Sequence, residues 1–491
     1  MISQPNRLRH ALTRIGARAH VRETKLHQPT IWLNIRRIAR ICVLFALFPA
    51  VAAAQNATPT LHDRAIAAGY KAAMLCSGIF DAAAMGAKRT RESIEANELK
   101  GIYPEYDALV AGLPATIEAD RVLVRYDPAM PPRVAVSEVW GCVTLPIGTP
   151  ETAKPRRVWI HAGQRVPRGW PADDAGAPAK TLAALRAPVD RAFDETYGAG
   201  SNTTGVVVVS DGKLIAERYA PGFGPWTPQR TWSVAKSISG TLIGIAVGKG
   251  LLDPKAPAPI PEWQKPGDPR AAITLDNLMR MASGLHSDTA GNRTDAVYFG
   301  GTAVTEETVA WPLEVRPGTR FRYANNDILL AIRALRGKMP EDPDGPNAFP
   351  AEWLFSPLDM NHIVAEHDWQ ANYILSSQVW ASARDLARLG DFWLADGVWN
   401  GKRILPEGWM KYMTTPSGPQ PATGPGYGAT MWLFGPAQGL PEGSYAAQGN
   451  RGQFIMVIPS RRLVIVRRGE DPGAARFDIA KLTADVLEAL K

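Results

Sequence analysis

The sequence predicts an α/β protein. Its main unit builds one antiparallel sheet from its own two ends, flanks it with helices, and inserts a mostly helical subdomain between them. Three observations carry this. Val206–Val209 and Leu214–Tyr219 are strand-like runs around Ser210-Asp211-Gly212-Lys213, and Asp-Gly between two such runs signals a hairpin. Phe454–Ile458 and Leu463–Arg467 repeat the pattern near the other end of the chain, joined at Pro459–Arg462. Between them, to about residue 415, the chain is mixed and mostly helical.

The chain has 491 residues and a formal net charge of +8. That charge is confined to residues 1–54, which hold nine basic residues (Arg7, Arg9, Arg14, Arg18, Arg22, Lys25, Arg36, Arg37, Arg40) against Glu23. Nine minus one is +8, so residues 55–491 sum to zero. A nucleic-acid partner therefore loses its support, because phosphate binding needs a positive surface. The leader itself reads as an export signal. Arg36, Arg37 and Arg40 precede the apolar stretch Ile41–Ala54, 14 residues broken by Pro49 and ending in Ala52-Ala53-Ala54. That stretch is too short to span a bilayer, which needs about 20 residues. An uncleaved membrane anchor is the alternative and would be the only membrane contact. Cleavage removes Cys42 and leaves Cys76 and Cys142, for which an oxidising periplasmic or secreted location predicts a disulfide.

Residues 55–150 read as a small N-terminal α/β unit. Ala65, Ala68, Ala72, Leu75 and Phe80 follow helical periodicity, and strand-like alternation covers 121–126 and 134–139. Residues 151–189 are rich in Pro and Ala without sustained period and read as a linker. The main unit, residues 190–491, opens with the hairpin, followed by an apolar helix from Ser233 to Val247 that ends at Gly248 and Gly250. A final helix is expected over about 474–490.

The chemistry gathers at the start of that apolar helix. Ser233-Val234-Ala235-Lys236 places a lysine one turn above a serine on the same helical face. A serine hydroxyl needs a base to become a nucleophile. Burial and the positive end of a helix both lower a lysine pKa, which would let Lys236 serve as that base. Ser210-Asp211-Gly212-Lys213 matches the same spacing, but a hairpin turn would leave both groups solvated. Tyr323-Ala324-Asn325 is the only Tyr-x-Asn of the chain. Neighbouring cations that lower its pKa would let Tyr323 shuttle a proton, and the Asn325 amide could hold a substrate carbonyl. No Gly-x-Ser-x-Gly elbow and no His-Glu-x-x-His is present, and Glu366-His367-Asp368 reads as a polar loop, not a metal site.

Together these segments resemble the class C β-lactamase and family VIII esterase group, most of all its β-lactamase-related hydrolases that include the 6-aminohexanoate-dimer hydrolases. Further stretches carry the likeness: Glu217 to Gly222, Ile273 to Met279 with Ala282 to Leu285, Arg384 to Arg388, Leu405 to Trp409, and Gly449 to Gln453. It covers roughly residues 190–491 and is looser over 60–150. The resemblance implies a β-lactamase/transpeptidase-like fold and a serine hydrolase that cleaves an ester or amide through an acyl-enzyme, without metal or cofactor. It assigns Ser233 as nucleophile and Lys236 and Tyr323 as proton handlers. Its third motif, Lys-Thr-Gly in lactamases, matches Gln448-Gly449-Asn450, which with Asn325 would contact substrate. The lysine is absent, which argues against β-lactam turnover, although Arg451 is near enough in sequence to supply a charge. The alternative is a penicillin-binding or cell-wall peptide-binding protein of this fold with little turnover.

Overall fold

The computed structural model describes residues 58–158, 180–286, 294–339 and 348–491. The leader and residues 159–179 of the expected linker lie outside the described residues. Thr58–Lys491 form one compact unit.

The N-terminal segment opens with the helix Leu61–Cys76. Thr60 caps it: its hydroxyl accepts from the Asp63 amide while the Asp63 carboxylate accepts from the Thr60 amide. From Ala65 onward every residue of the helix is buried or half-buried, because small alanines let neighbours approach on several sides. Four short strands follow as an antiparallel meander: β1 (Ala115–Ile117), β2 (Arg121–Val124), β3 (Arg133–Glu138) and β4 (Gly141–Thr144). The helix end is joined to β4 by the Cys76–Cys142 disulfide, Cα–Cα 6.0 Å. The helix and meander share an apolar core with Trp232, Phe299 and Trp380.

β5 (Thr203–Ser210) and β6 (Lys213–Tyr219) form the expected hairpin, with Asp211 and Gly212 both left-handed at φ 49° and 70°. Two-residue loops of this hand match the strand twist. β7 (Gln229–Arg230) leads into the apolar helix Val234–Gly248. The middle of the chain supplies helices together with β8 (Ile363–Ala365), β9 (Val379–Ala381) and the small hairpin β10 (Val398–Trp399)–β11 (Lys402–Arg403). Then come β12 (Gly426–Tyr427), β13 (Trp432–Phe434), β14 (Ser444–Gly449), β15 (Gln453–Ile458) and β16 (Leu463–Gly469).

The main sheet is antiparallel with order β12-β13-β14-β15-β16-β5-β6, so strands from both ends of the unit meet where β16 pairs with β5. The valine run of β5 shows why it sits at the centre. Val207 and Val209 enter the core beneath the helix Val234–Gly248, while Val206 and Val208 enter the core on the opposite face with the last helix. β7, β9 and β8 form a separate three-stranded sheet.

Two sequence expectations shift. The last helix is Ile479–Ala489, capped by Asp478, and begins about five residues later than its apolar pattern suggests. β13 and β14 went unread, because β13 is only three residues long and Ala446, Ala447 and Gly449 of β14 carry little strand propensity.

Candidate active site

Ser233 is half-buried at the N-cap of the helix Val234–Gly248. The approach to it is strained. Trp232 has φ 50°, a conformation costly for a bulky residue, and it is 6% exposed. One helical turn on, Lys236 is 1% exposed. Its Nζ lies 2.9 Å from Ser233 Oγ, 2.6 Å from Asn325 Oδ1 and 2.9 Å from the Ser376 carbonyl oxygen. Burial, and then the charge of Arg230, lower its pKa to about 7.

As an ammonium, Lys236 donates to all three oxygens; on losing a proton it can keep its N–H bonds to Asn325 Oδ1 and the Ser376 carbonyl and turn its lone pair to the Ser233 hydroxyl.

Tyr323 reaches the same place from the segment before the helix Asn325–Arg336. Its ring centroid is 5.1 Å from Lys236 Nζ and 5.4 Å from the Trp432 ring. The sequence-based expectation of a lowered phenol pKa is not met. Burial pushes Tyr323 well up, and its hydrogen bonds with Ser233 and Trp432 offset this only in part. The phenol stays protonated at neutral pH and serves as a donor. Asn325 is buried, and its Oδ1 accepts from Lys236 Nζ, which orients the side-chain amide; a substrate carbonyl would take its hydrogen bond from Nδ2.

At the third motif, Gly449 comes against the nucleophile turn. A Cβ there would stand 2.3 Å from the Thr231 carbonyl oxygen and 3.1 Å from the Ser233 amide nitrogen. Only glycine lets β14 approach the Ser233 backbone so closely. Gln448 does not occupy a cation-like position in the cleft. It pairs with Phe454, and paired residues share a sheet face. Phe454 belongs to the core on the side of the last helix, so the Gln448 side chain points there, into a cavity of about 610 Å³ lined also by Phe434 and Phe477. The residue of β14 facing the helix Val234–Gly248 is Ala447. Asn450 is exposed, and its Oδ1 accepts from the Arg451 amide.

Arg451 is not available as a substitute cation. At φ 58° its side chain turns inward to the carbonyl oxygens of Asn97 (2.5 Å), Lys100 (3.1 Å), Glu470 (2.8 Å) and Asp471 (3.0 Å), and it pairs with the Glu470 carboxylate at 3.2 Å.

The other candidates settle as follows. Ser210 and Lys213 face each other across the β5–β6 turn, with Lys213 exposed. Glu366, His367 and Asp368 are all buried. Glu366 accepts from Ser77 Oγ at 2.5 Å and from the Cys142 amide at 3.3 Å, and burial lowers the His367 pKa to about 4. No group of three or more His, Cys, Asp or Glu side chains among the described residues is placed to hold a metal ion. Sequence reading missed Ser376, which acts through its backbone carbonyl, and Tyr298, whose hydroxyl lies 2.6 Å from Ser376 Oγ. A carbonyl contact leaves no signal in residue type.

Comparisons with known proteins identify the family. The 6-aminohexanoate-dimer hydrolase of Paenarthrobacter ureafaciens is 27% identical over 335 residues, covering 61% of this chain and 81% of that protein. A family VIII carboxylesterase superposes with TM-score 0.51 at 14% identity, over 64% of this chain and 98% of the other. A penicillin-binding protein homologue from Caulobacter crescentus gives TM-score 0.50 at 17% identity, over 63% and 99%. These two structural likenesses speak for the β-lactamase/transpeptidase-like fold alone. Residues 189–487, a span that includes Ser233, Lys236, Tyr323 and Gly449, match the beta-lactamase family, and the chain belongs to that family.

Proposed function

We propose that this protein is a serine hydrolase that cleaves esters or linear amides of small molecules through an acyl-enzyme. The observation that carries the reading is the set of Lys236 contacts: a buried lysine, with its pKa lowered to about 7, stands with Nζ 2.9 Å from Ser233 Oγ while Asn325 Oδ1 and the Ser376 carbonyl hold it in place.

In this reading Lys236 takes the Ser233 proton as Oγ attacks the carbonyl carbon. The oxyanion forms between the Ser233 N–H at the helix start and a backbone N–H of the Gly449–Asn450 step. The leaving oxygen or nitrogen takes its proton from Tyr323, which recovers one from Lys236. Water then attacks the acyl-enzyme by the same path in reverse and frees Ser233.

The substrate class rests on the third motif. With Ala447 and Gly449 on the catalytic face and Arg451 tied to backbone carbonyls, the described residues of the third motif offer no cation for a β-lactam carboxylate. The hydrolase relative supports the same class. A penicillin-binding role has only fold likeness behind it, and the complete Ser-Lys-Tyr set favours turnover. Export to an oxidising compartment is supported by the disulfide, and among the described residues no helix is long and apolar enough to cross a membrane.

A fluorophosphonate probe tests the core of the proposal. Wild-type protein should be labelled at Ser233 alone, with label on that residue found by peptide mass spectrometry. Absence of labelling on folded protein would reject a serine hydrolase.

A further inference from the structure

Three residues before the nucleophile, Arg230 ends β7 with its side chain 1% exposed. A buried guanidinium is normally paired with a carboxylate. Among the described residues no carboxylate stands within ion-pair distance of Arg230, and its Nε and Nη1 have no hydrogen-bond partner. Its single side-chain hydrogen bond, from Nη2, goes to Ser377 Oγ at 2.9 Å. The plane of the group lies over the Trp232 ring, 3.8 Å from its centroid, with Tyr298 at 5.3 Å. Ser377 adjoins Ser376, whose carbonyl holds Lys236 Nζ at 2.9 Å and whose hydroxyl meets Tyr298. Two neighbouring serines thus each hold one of two buried basic groups. A guanidinium does not give up its proton in a protein, whereas a lysine does.

We propose that Arg230 is a positioning residue for this reaction: its unpaired guanidinium, pinned on Ser377, forces the lysine pinned on Ser376 to meet Ser233 as a free amine. The inference rests on the hydrolase reading above and adds to it the residue that sets the working pH.

The groups facing the pair are few. Lys236 looks onto Ser233, Tyr323, Asn325 and the Ser376 carbonyl, none of them charged at neutral pH. Arg230 is faced by Tyr70, Tyr103 and Tyr298 and by one carboxyl group, Glu366, which Ser77 and the Cys142 amide hold in place. Burial raises the Glu366 pKa to about 7, so it ionises within the pH range of the test, and once ionised it opposes Arg230; its removal and the removal of Arg230 should act in opposite directions.

The test is the pH dependence of kcat/KM for p-nitrophenyl butyrate between pH 5.5 and 9.5. Arg230→Gln should move the acid limb up by about one unit, which is about tenfold less activity at pH 6 and under about twofold at pH 9. Ser377→Asp, which neutralises the guanidinium without removing it, should move the limb the same way. Glu366→Gln, which keeps the hydrogen bond from Ser77, should move it down. A limb that stays in place in folded Arg230→Gln or Ser377→Asp overturns the proposal. If neither folds, Glu366→Gln decides: a limb that moves down supports the proposal, and one that stays or rises overturns it. Loss of activity in Ser233→Ala with unmoved limbs here defeats only this inference, whereas full activity in Ser233→Ala defeats the hydrolase reading itself.

Discussion

The chain contains two Ser-x-x-Lys segments near each other in sequence, and they differ in everything but spacing. Ser210 and Lys213 are cross-strand partners at a two-residue turn, with the lysine exposed to water. Ser233 and Lys236 open an apolar helix, where the lysine is 1% exposed and meets two acceptors and a hydroxyl. In the turn, the lysine is open to water and nothing holds it against the serine. On the helix, burial disfavours the charge and the geometry supplies a base. The pair becomes a site through its surroundings, and the residue identities alone select neither copy.

The largest effect that could break this contrast is Ser233→Ala. It should lower esterase activity by about 10³-fold or more with the fold retained by circular dichroism, in line with the cost of losing a nucleophile. Residual activity above about a tenth would remove Ser233 from the centre of the chemistry. Next, Lys236→Ala and Tyr323→Phe should each cost about a hundredfold in kcat, in the range of general acid–base contributions. The double variant should lose much less than the product of the two, since both serve one proton path. A fully multiplicative loss would show two independent roles.

Activity should also rise with pH through about 7, because the deprotonated Lys236 is the active form and its pKa lies there. An acid limb near pH 4 would point to a carboxylate base instead. On the substrate side, p-nitrophenyl butyrate should outrun nitrocefin by about tenfold or more. A charge-assisted hydrogen bond to the β-lactam carboxylate is missing, and such bonds are roughly twice as strong as neutral ones. The smallest effect belongs to the turn: Ser210→Ala and Lys213→Ala should leave kcat/KM within about twofold, and a larger loss would blur the distinction between the two segments.

The sequence made the proposed Ser-Lys-Tyr trio and the two-ended sheet readable, since each depends on local pattern: an apolar helix after strands, a unique Tyr-x-Asn, paired hairpin signals at both ends. What it left open depends on parity and on distant partners. Gln448 looked like the first position of the third motif, but one residue of register decides which sheet face a side chain takes, and pairing with Phe454 turns it away from Ser233. Arg451 looked free to meet a substrate. Its positive φ and the carbonyls of Asn97 and Lys100, about 350 residues earlier, claim it instead. Tyr323 was expected to have a lowered pKa, yet the nearby cation is itself a lysine near neutrality, so burial dominates. Ser376 contributes a backbone atom that any residue could provide.

The junction of β16 with β5 also constrains how the molecule is made. Leu463 pairs with Ser210, a separation of 253 residues (463 − 210). During synthesis β5 emerges early and has only β6 to lean on until nearly the whole unit has been translated. Its valines, apolar on both faces, must wait for their partner. Contacts this distant in sequence close slowly and leave a strand edge open to wrong pairing in the meantime. A polypeptide of this design completes its native sheet only once β16 has been made. That delay exposes it to aggregation, and it also keeps the chain in a state that can still be threaded through a narrow channel.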